Sequence, residues 1–109
     1  MHAFELQTLL SQHLANGGNW SEALRVPALS VGVYTLPAGS VDPQSPHGED
    51  EVYHVLSGQA MIRVGDEDWP VQPGSLVYVP ARVEHRFHSI VEDLTVLVFF
   101  APAEGTAAS

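Results

Sequence analysis

Four of the six histidines fall between residues 47 and 88, in company with a run of acids. One segment reads His47-Gly48-Glu49-Asp50-Glu51-Val52-Tyr53-His54 and the other Arg82-Val83-Glu84-His85-Arg86-Phe87-His88. Neutral imidazole and carboxylate suit Fe(II), Mn(II), Zn(II), Ni(II) or Cu(II), and two His with one carboxylate is the facial triad of non-haem iron oxygenases. An imidazole with an ordinary pKa of about 6.5 is mostly unprotonated near neutral pH, so its lone pair is available to a metal.

These residues need strands to aim them, and the texture beyond residue 19 supplies strands. Gly and Pro punctuate short runs rich in Val, Tyr, Leu and Phe, the pattern of an all-β domain. The reading places strands near 30–36, 50–57, 59–65, 68–72, 75–79, 84–90 and 94–101. Turns fit at Pro37-Ala38-Gly39, Ser57-Gly58, Gly65-Asp66-Glu67-Asp68, Gln72-Pro73-Gly74, Pro80-Ala81-Arg82 and Glu92-Asp93. The segment Leu94 to Ala101 is apolar at nearly every position and reads as a strand covered on both faces.

Alternation along a strand puts Glu51, Tyr53 and Val55 on one face and Val52, His54 and Leu56 on the other. His85 and Phe87 likewise share a face, opposite Arg86 and His88. On the hairpin strand, Ala60, Ile62 and Val64 form the better core set, which leaves Arg63 at the surface. Ahead of the strands, Phe4, Leu6, Leu9, Leu10, His13 and Leu14 recur near the helical period. A short amphipathic helix over 3–15 follows, stopped by Asn16-Gly17-Gly18-Asn19. The organisation is an N-terminal helical or extended segment, 1–29, a β-barrel, 30–101, and a loose tail, 102–109.

The spacing resembles the two motifs of the cupins, small β-barrels with a metal held between them. Their first motif runs Gly, five residues, His-x-His, three or four residues, Glu, six residues, Gly. Gly39, His47, Glu51 and Gly58 fit it. The second runs Gly, five residues, Pro-x-Gly, two residues, His, three residues, Asn, and Gly74, Pro80 and His85 match. The fifteen residues between Gly58 and Gly74 suit a compact cupin. The resemblance implies a jelly-roll β-barrel of two packed antiparallel sheets with a short helical N-terminal segment.

Carried over residue by residue, the resemblance puts His47, Glu51 and His85 at metal-ligand positions. The ligand face then adds aromatic walls, Tyr53 and Phe87, as a substrate pocket. Where the family usually has its first histidine this chain has Ser45, so the fourth ligand is Gln44, Ser45 or water. Arg82 stands in place of the motif glycine, which implies a turn with no need of positive φ. Ser89 replaces the final Asn, a position tied to the turn rather than to the metal. Glu49 and Asp50 read as a solvated loop, and His54 and His88 as surface or interface residues. His2 and His13 have no spacing argument. A barrel that has lost its metal is the competing reading of the whole cluster.

Composition narrows the function. With 109 residues the chain suits one domain, and 45% hydrophobic against 16% charged residues marks a globular chain. No cysteine is present, which excludes disulfides, thiolate metal sites, iron–sulfur clusters and a thiol nucleophile. Lysine is absent too, which removes Schiff-base chemistry and lysine-based phosphate sites. A formal charge of −9 opposes nucleic acid and anionic membranes. The start lacks the basic flank and apolar stretch of a signal peptide, and no apolar run is long enough to span a bilayer, so the expected location is cytoplasmic.

The expected function is that of a mononuclear metal-dependent oxygenase, dioxygenase-like, acting on a small organic molecule. It would use one divalent transition metal per chain, Fe(II) or Mn(II) before Zn, Ni or Cu. Alternatives are a non-catalytic ligand-binding or sensing cupin and, lower, a sugar isomerase or epimerase. Small cupins are commonly homodimers, with Phe4, Leu9, Trp20 and the 94–101 strand available for an interface.

Overall fold

The computed structural model describes residues 1–44 and 46–107. Helix α1 (Leu6–Asn16) is followed by strands β1 (Trp20–Val26), β2 (Leu29–Leu36), β3 (Asp50–Val64), β4 (Glu67–Val71), β5 (Leu76–Val79) and β6 (His85–Ala101). All pairings are antiparallel. They run in the order β1-β2-β6-β3-β4, with β5 on the free side of β3. The architecture is jelly-roll-like, and its sheet does not close into a complete barrel.

Two long strands make the two layers. The residues expected as separate strands 50–57 and 59–65 are one strand, and so are 84–90 and 94–101. β3 pairs along its length with β6, and the register shifts three times between Val55 and Met61. Such irregularities bend a strand without ending it, so the ladder continues from one layer into the other. Gly58 lies in this bend at φ 95°, and a Cβ there would run into the Asp93 carbonyl and lie 2.7 Å from Leu94 Cα. Only glycine fits at that approach. Glu92-Asp93, expected as a turn, lies inside β6.

Between the layers lies one core. Leu36, Tyr53, Val55, Val79, Leu94, Val96, Val98 and Phe100 meet Ala60, Ile62, Val71, Phe87 and Ile90 from the bent-over halves of β3 and β6 with β4. The Leu94–Ala101 segment is buried on one face only. Leu94, Val96, Val98 and Phe100 point inward, while Phe99 is 37% exposed. Its apolar outward residues form a row in register, Val31 beside Phe99, Phe99 beside Val52 and Val52 beside Tyr78.

β1 was not expected from the sequence. Trp-Ser-Glu-Ala-Leu-Arg-Val lacks strict alternation, and β1 is an edge strand with a bulge between Glu22 and Leu24. Helix α1 starts later than expected and ends at Gly17, whose φ is 67°. Its apolar stripe is only partly covered: Leu9 and Leu10 are half-buried, Leu14 is 80% exposed, and the one fully buried helix residue is His13. The His13 ring bonds Ser21 Oγ (2.5 Å) and Thr35 Oγ1 (3.0 Å), docking the helix on β1 and β2, and burial lowers its pKa. Among the described residues no helix is long and apolar enough to cross a membrane.

The segment after β6 is not loose over residues 102–107. Ala103 is fully buried, Glu104 N–H donates to Ser30 Oγ (2.9 Å), and Ala107 N–H donates to Glu49 Oε2 (3.0 Å). Its small side chains gave no sign of this, because backbone donors and buried acceptors do the anchoring. The remainder of the expected tail, Ala108 and Ser109, lies outside the described residues.

Candidate metal centre

Glu51 enters from the start of β3, His85 from the start of β6, and His47 from the loop between β2 and β3. Alternation along β3 and β6 turns Glu51, Tyr53, Val55, His85 and Phe87 inward as expected, all of them buried. His85 Nε2 lies 3.1 Å and His47 Nε2 3.9 Å from Glu51 Oε1. One ligand atom from each of the three residues falls within 4.8 Å of the others. Ligands about 2.1 Å from a shared ion stand roughly 3–4 Å apart, so the three could hold a metal without large movement.

Protonation supports that fit. His85 Nδ1 is 2.9 Å from the Val83 carbonyl, which can only accept, so Nδ1 carries the proton and Nε2 presents a lone pair. That lone pair faces a carboxylate, and both Glu51 oxygens and His85 Nε2 are buried without a hydrogen-bond partner among the described residues. Unpaired buried charge is costly, and a cation between the two groups satisfies all three atoms. Without one, a second proton on His85 does part of the work. Burial opposes it, but the Glu51 carboxylate, the Val83 carbonyl and Asp42 outweigh burial and raise the His85 pKa.

Gln44 sits beside the triad. Its Oε1 is 3.1 Å from His47 Nε2, and its Nε2 donates to Tyr53 Oη at 2.9 Å. The amide oxygen thus reaches the ring nitrogen that faces Glu51, in a position to join a shared ion. Ser45, the other expected candidate, lies outside the described residues.

The turn carrying the second motif differs from expectation. Arg82 has φ 66°, a left-handed conformation, although its side chain suggested a turn with negative φ. Its N–H donates to the His47 carbonyl at 2.6 Å, which ties the two motifs together and helps offset the strain. Ser89 is also left-handed, at φ 51°, within β6.

Two buried acids went unnoticed as structural residues. Asp42 Oδ1 accepts from Tyr34 Oη (2.7 Å), and Oδ2 accepts from Phe87 N–H (2.9 Å). Burial raises the Asp42 pKa against these bonds and raises that of Tyr34 well above the phenol range. No sequence signal singles out one Asp in a Pro-rich loop. Glu49, read as solvated, is buried at 4% exposure because it holds the Ala107 N–H. Asp50 stays exposed and caps the Ala81 N–H at 2.9 Å. His54 and His88 lie away from the centre, His88 against Asp68 at 2.7 Å, and Arg63 also pairs with Asp68.

A cavity of about 240 Å³ opens on the centre. Gln44, His47 and Glu51 form its polar side, and Trp20, Tyr34, Val98 and Phe100 its apolar side, with Glu104 also in the lining. Tyr53 and Phe87, expected as pocket walls, are not part of this lining. Their rings pack edge to face at 4.8 Å in the core, and Tyr53 is 6.1 Å from the His85 ring, so they support the centre from behind. The aromatic wall comes instead from Trp20, Tyr34 and Phe100. Gly32 makes room for Trp20, because a Cβ there would meet the indole ring and lie 2.6 Å from the Ser21 carbonyl.

The cupin domain family matches residues 32–100, which takes in both motifs and both long strands. The chain is a cupin. An uncharacterized protein of Streptomyces coelicolor is 53% identical to this cupin over 104 residues, covering 95% of this chain and 99% of the relative. The structure of TT1209 from Thermus thermophilus superposes with a TM-score of 0.73 at 23% identity, covering 94% of this chain and 99% of that one. KdgF from Halomonas sp. gives a TM-score of 0.72 at 20% identity over 79% of each chain. At these identities the two structures establish the cupin fold alone.

Proposed function

We propose that this cupin is a mononuclear metal-dependent enzyme acting on a small organic molecule, with oxygenase chemistry of the dioxygenase type. The carrying observation is the pair Glu51 and His85, whose buried, unpartnered atoms converge with His47. A divalent metal held there, Fe(II) or Mn(II) before Zn, Ni or Cu, would supply Lewis-acid and redox chemistry with coordination positions left open.

The chain's own residues do the rest. Glu51 offsets one unit of charge. The Val83 carbonyl holds His85 in the ligating tautomer. Gln44 Oε1, beside His47 Nε2, would accept its proton while no ion is held and could turn to the ion once that nitrogen is deprotonated. Trp20, Tyr34, Val98 and Phe100 limit water on the open side. The cavity falls below the roughly 300–1,000 Å³ usual for drug-sized ligands, which favours a small substrate. No Lys or Arg lines it, which counts against a sugar-phosphate isomerase or epimerase.

Metal analysis of untagged protein tests the reading, followed by oxygen uptake with small organic substrates. Near-stoichiometric iron or manganese, lost in Glu51→Ala and His85→Ala, is expected. Metal uptake with no oxygen consumption would defeat the oxygenase reading, and no uptake on reconstitution would defeat the enzyme reading. The second outcome favours a non-catalytic ligand-binding or sensing cupin, for which Ser45 in place of the first motif histidine is the supporting feature.

The homodimer belongs to this proposal too. The outward row of Val31, Phe99, Val52 and Tyr78, with Tyr78 58% exposed and Leu76 71% exposed beside it, is an apolar sheet face that a second copy could cover. A monomer mass by sedimentation would count against it. A lack of nucleic-acid and anionic-membrane partners is proposed on the charge of −9, and cytoplasmic residence on the start of the sequence, which lacks signal-peptide features.

A further inference from the structure

We infer that the cavity selects a small alkylated ammonium cation, surrounded by Trp20, Tyr34 and Phe100 with the Glu104 carboxylate as its counter-charge. The inference rests on the metal-dependent reading of the same site and names the substrate class, although the two can fail separately.

Charge is the first argument. Two carboxylates, Glu51 and Glu104, line the cavity, and no cationic side chain does. Lysine is absent from the sequence. None of the arginines lines the cavity: Arg63 pairs with Asp68, and Arg25 pairs with Glu22 and touches Glu104 at its backbone carbonyl. A divalent ion among His47, Glu51 and His85 uses the Glu51 charge. The Glu104 carboxylate makes no hydrogen bond or ion pair among the described residues. Arg25 and His47 act on it only at longer range, against Glu22, Glu49 and Glu51, so the surplus around it is negative. An anionic substrate would have to sit beside it in a partly desolvated space, where like-charge repulsion is costly. A cation meets the opposite situation.

The wall is the second argument. Trp20 packs at 6.4 Å and 66° against Tyr34 and at 6.1 Å and 78° against Phe100. Trp20 thus stands edge to face with both Tyr34 and Phe100, and the three rings line one cavity, where ring faces can attract an alkylated ammonium group through cation–π interaction. Glu104 is held in place by its backbone: its N–H donates to Ser30 Oγ, and its carbonyl accepts from Arg25 at 2.9 Å. Ala103 beside it is fully buried. Substituting the Glu104 side chain therefore leaves its anchoring intact.

Choline and its neutral isostere, with carbon in place of the ammonium nitrogen, are titrated into metal-reconstituted protein. The background is Trp69→Phe, so Trp20 is the sole tryptophan, and calorimetry confirms the affinities. Trp69 is 67% exposed and lies outside the cavity lining, so its replacement leaves the site intact. We expect choline to bind at least about tenfold tighter than the isostere. Glu104→Gln should cut the preference several-fold, leaving the part that the rings supply, and Glu104→Asp should retain it. Equal binding in the parent, tighter binding of acetate, or an unchanged preference in Glu104→Gln overturns the inference. Bound metal without a choline preference sinks this inference alone. A choline preference without metal uptake sinks the metal-dependent reading alone.

Discussion

The two sides of the metal centre are held in different ways. Glu51 and His85 lie at opposite ends of the β3–β6 ladder, Glu51 opposite Phe100 and His85 opposite Val64, and meet across the two layers. Both are almost fully buried and keep three polar atoms without partners among the described residues. His47 and Gln44 lie on the loop before β3, are more open, and satisfy each other, with Tyr53 completing the chain. The strand-borne side is rigid and electrostatically incomplete, whereas the loop-borne side is adaptable and complete. A site built this way should draw most of its metal affinity from the strands and its adjustment from the loop. The Arg82 N–H bond to the His47 carbonyl is the backbone link between them.

The largest test of that contrast is metal affinity. Glu51→Ala or His85→Ala should remove stoichiometric binding, a loss beyond the roughly 10–100-fold typical of an outer partner. Gln44→Ala should cost about tenfold or less. Competition titration with a chelator ranks the variants, and equal losses on both sides would erase the distinction.

A middle-sized effect appears without metal. Glu51→Gln replaces a buried charge by an amide that can donate to His85 Nε2. Above neutral pH the metal-free variant should therefore be more stable than metal-free wild type, by about 1–3 kcal/mol. At lower pH the gap should close. The His85 pKa is raised in the folded protein, so the attraction of its protonated ring for Glu51 is fully present below the unfolded value of about 6.5. It is lost as pH rises through the folded value. Urea unfolding of both proteins across this range checks the sign, and taking their difference removes the opposite trend from His13, whose pKa is lowered. A constant difference would mean that His85 and Glu51 do not interact.

Tyr53→Phe gives the smallest effect. It removes the acceptor for Gln44 while keeping the ring against Phe87, and should cost about 1 kcal/mol in stability with a metal-affinity change of less than about tenfold. Thermal unfolding with and without metal measures both. A loss as large as that of Glu51→Ala would place Tyr53 with the strand-borne side of the centre.

Much of this arrangement was legible because it is local or periodic. The spacing His47, Glu51, Gly58 and Gly74, Pro80, His85 marks both motifs, and two-residue alternation correctly assigns which side chains turn inward. Gly17 ends the helix where a left-handed cap is expected. The misses share another cause. Strand breaks at Ser57-Gly58 and Glu92-Asp93 looked like turns, because local residue types do not reveal whether a ladder continues through a bend. Glu49 looked solvated because its partner, Ala107, is far along the chain. Tyr53 and Phe87 do face inward, but alternation cannot tell a cavity wall from the core behind it.

The sequence alone showed an all-β chain and which side chains share a strand face, since short-range sterics and strand period act within a few residues. Its resemblance to the two cupin motifs implied His47, Glu51 and His85 as candidate ligands. The aromatic wall of Trp20, Tyr34 and Phe100, the reach of Glu104 into the cavity and the left-handed turn at Arg82 were decided by tertiary structure. Each depends on contacts between segments distant in sequence: β1 laid over Gly32, the C-terminal segment held on Ser30, and the His47 carbonyl meeting the Arg82 N–H. Only packing the long strands into two layers brings those partners within reach.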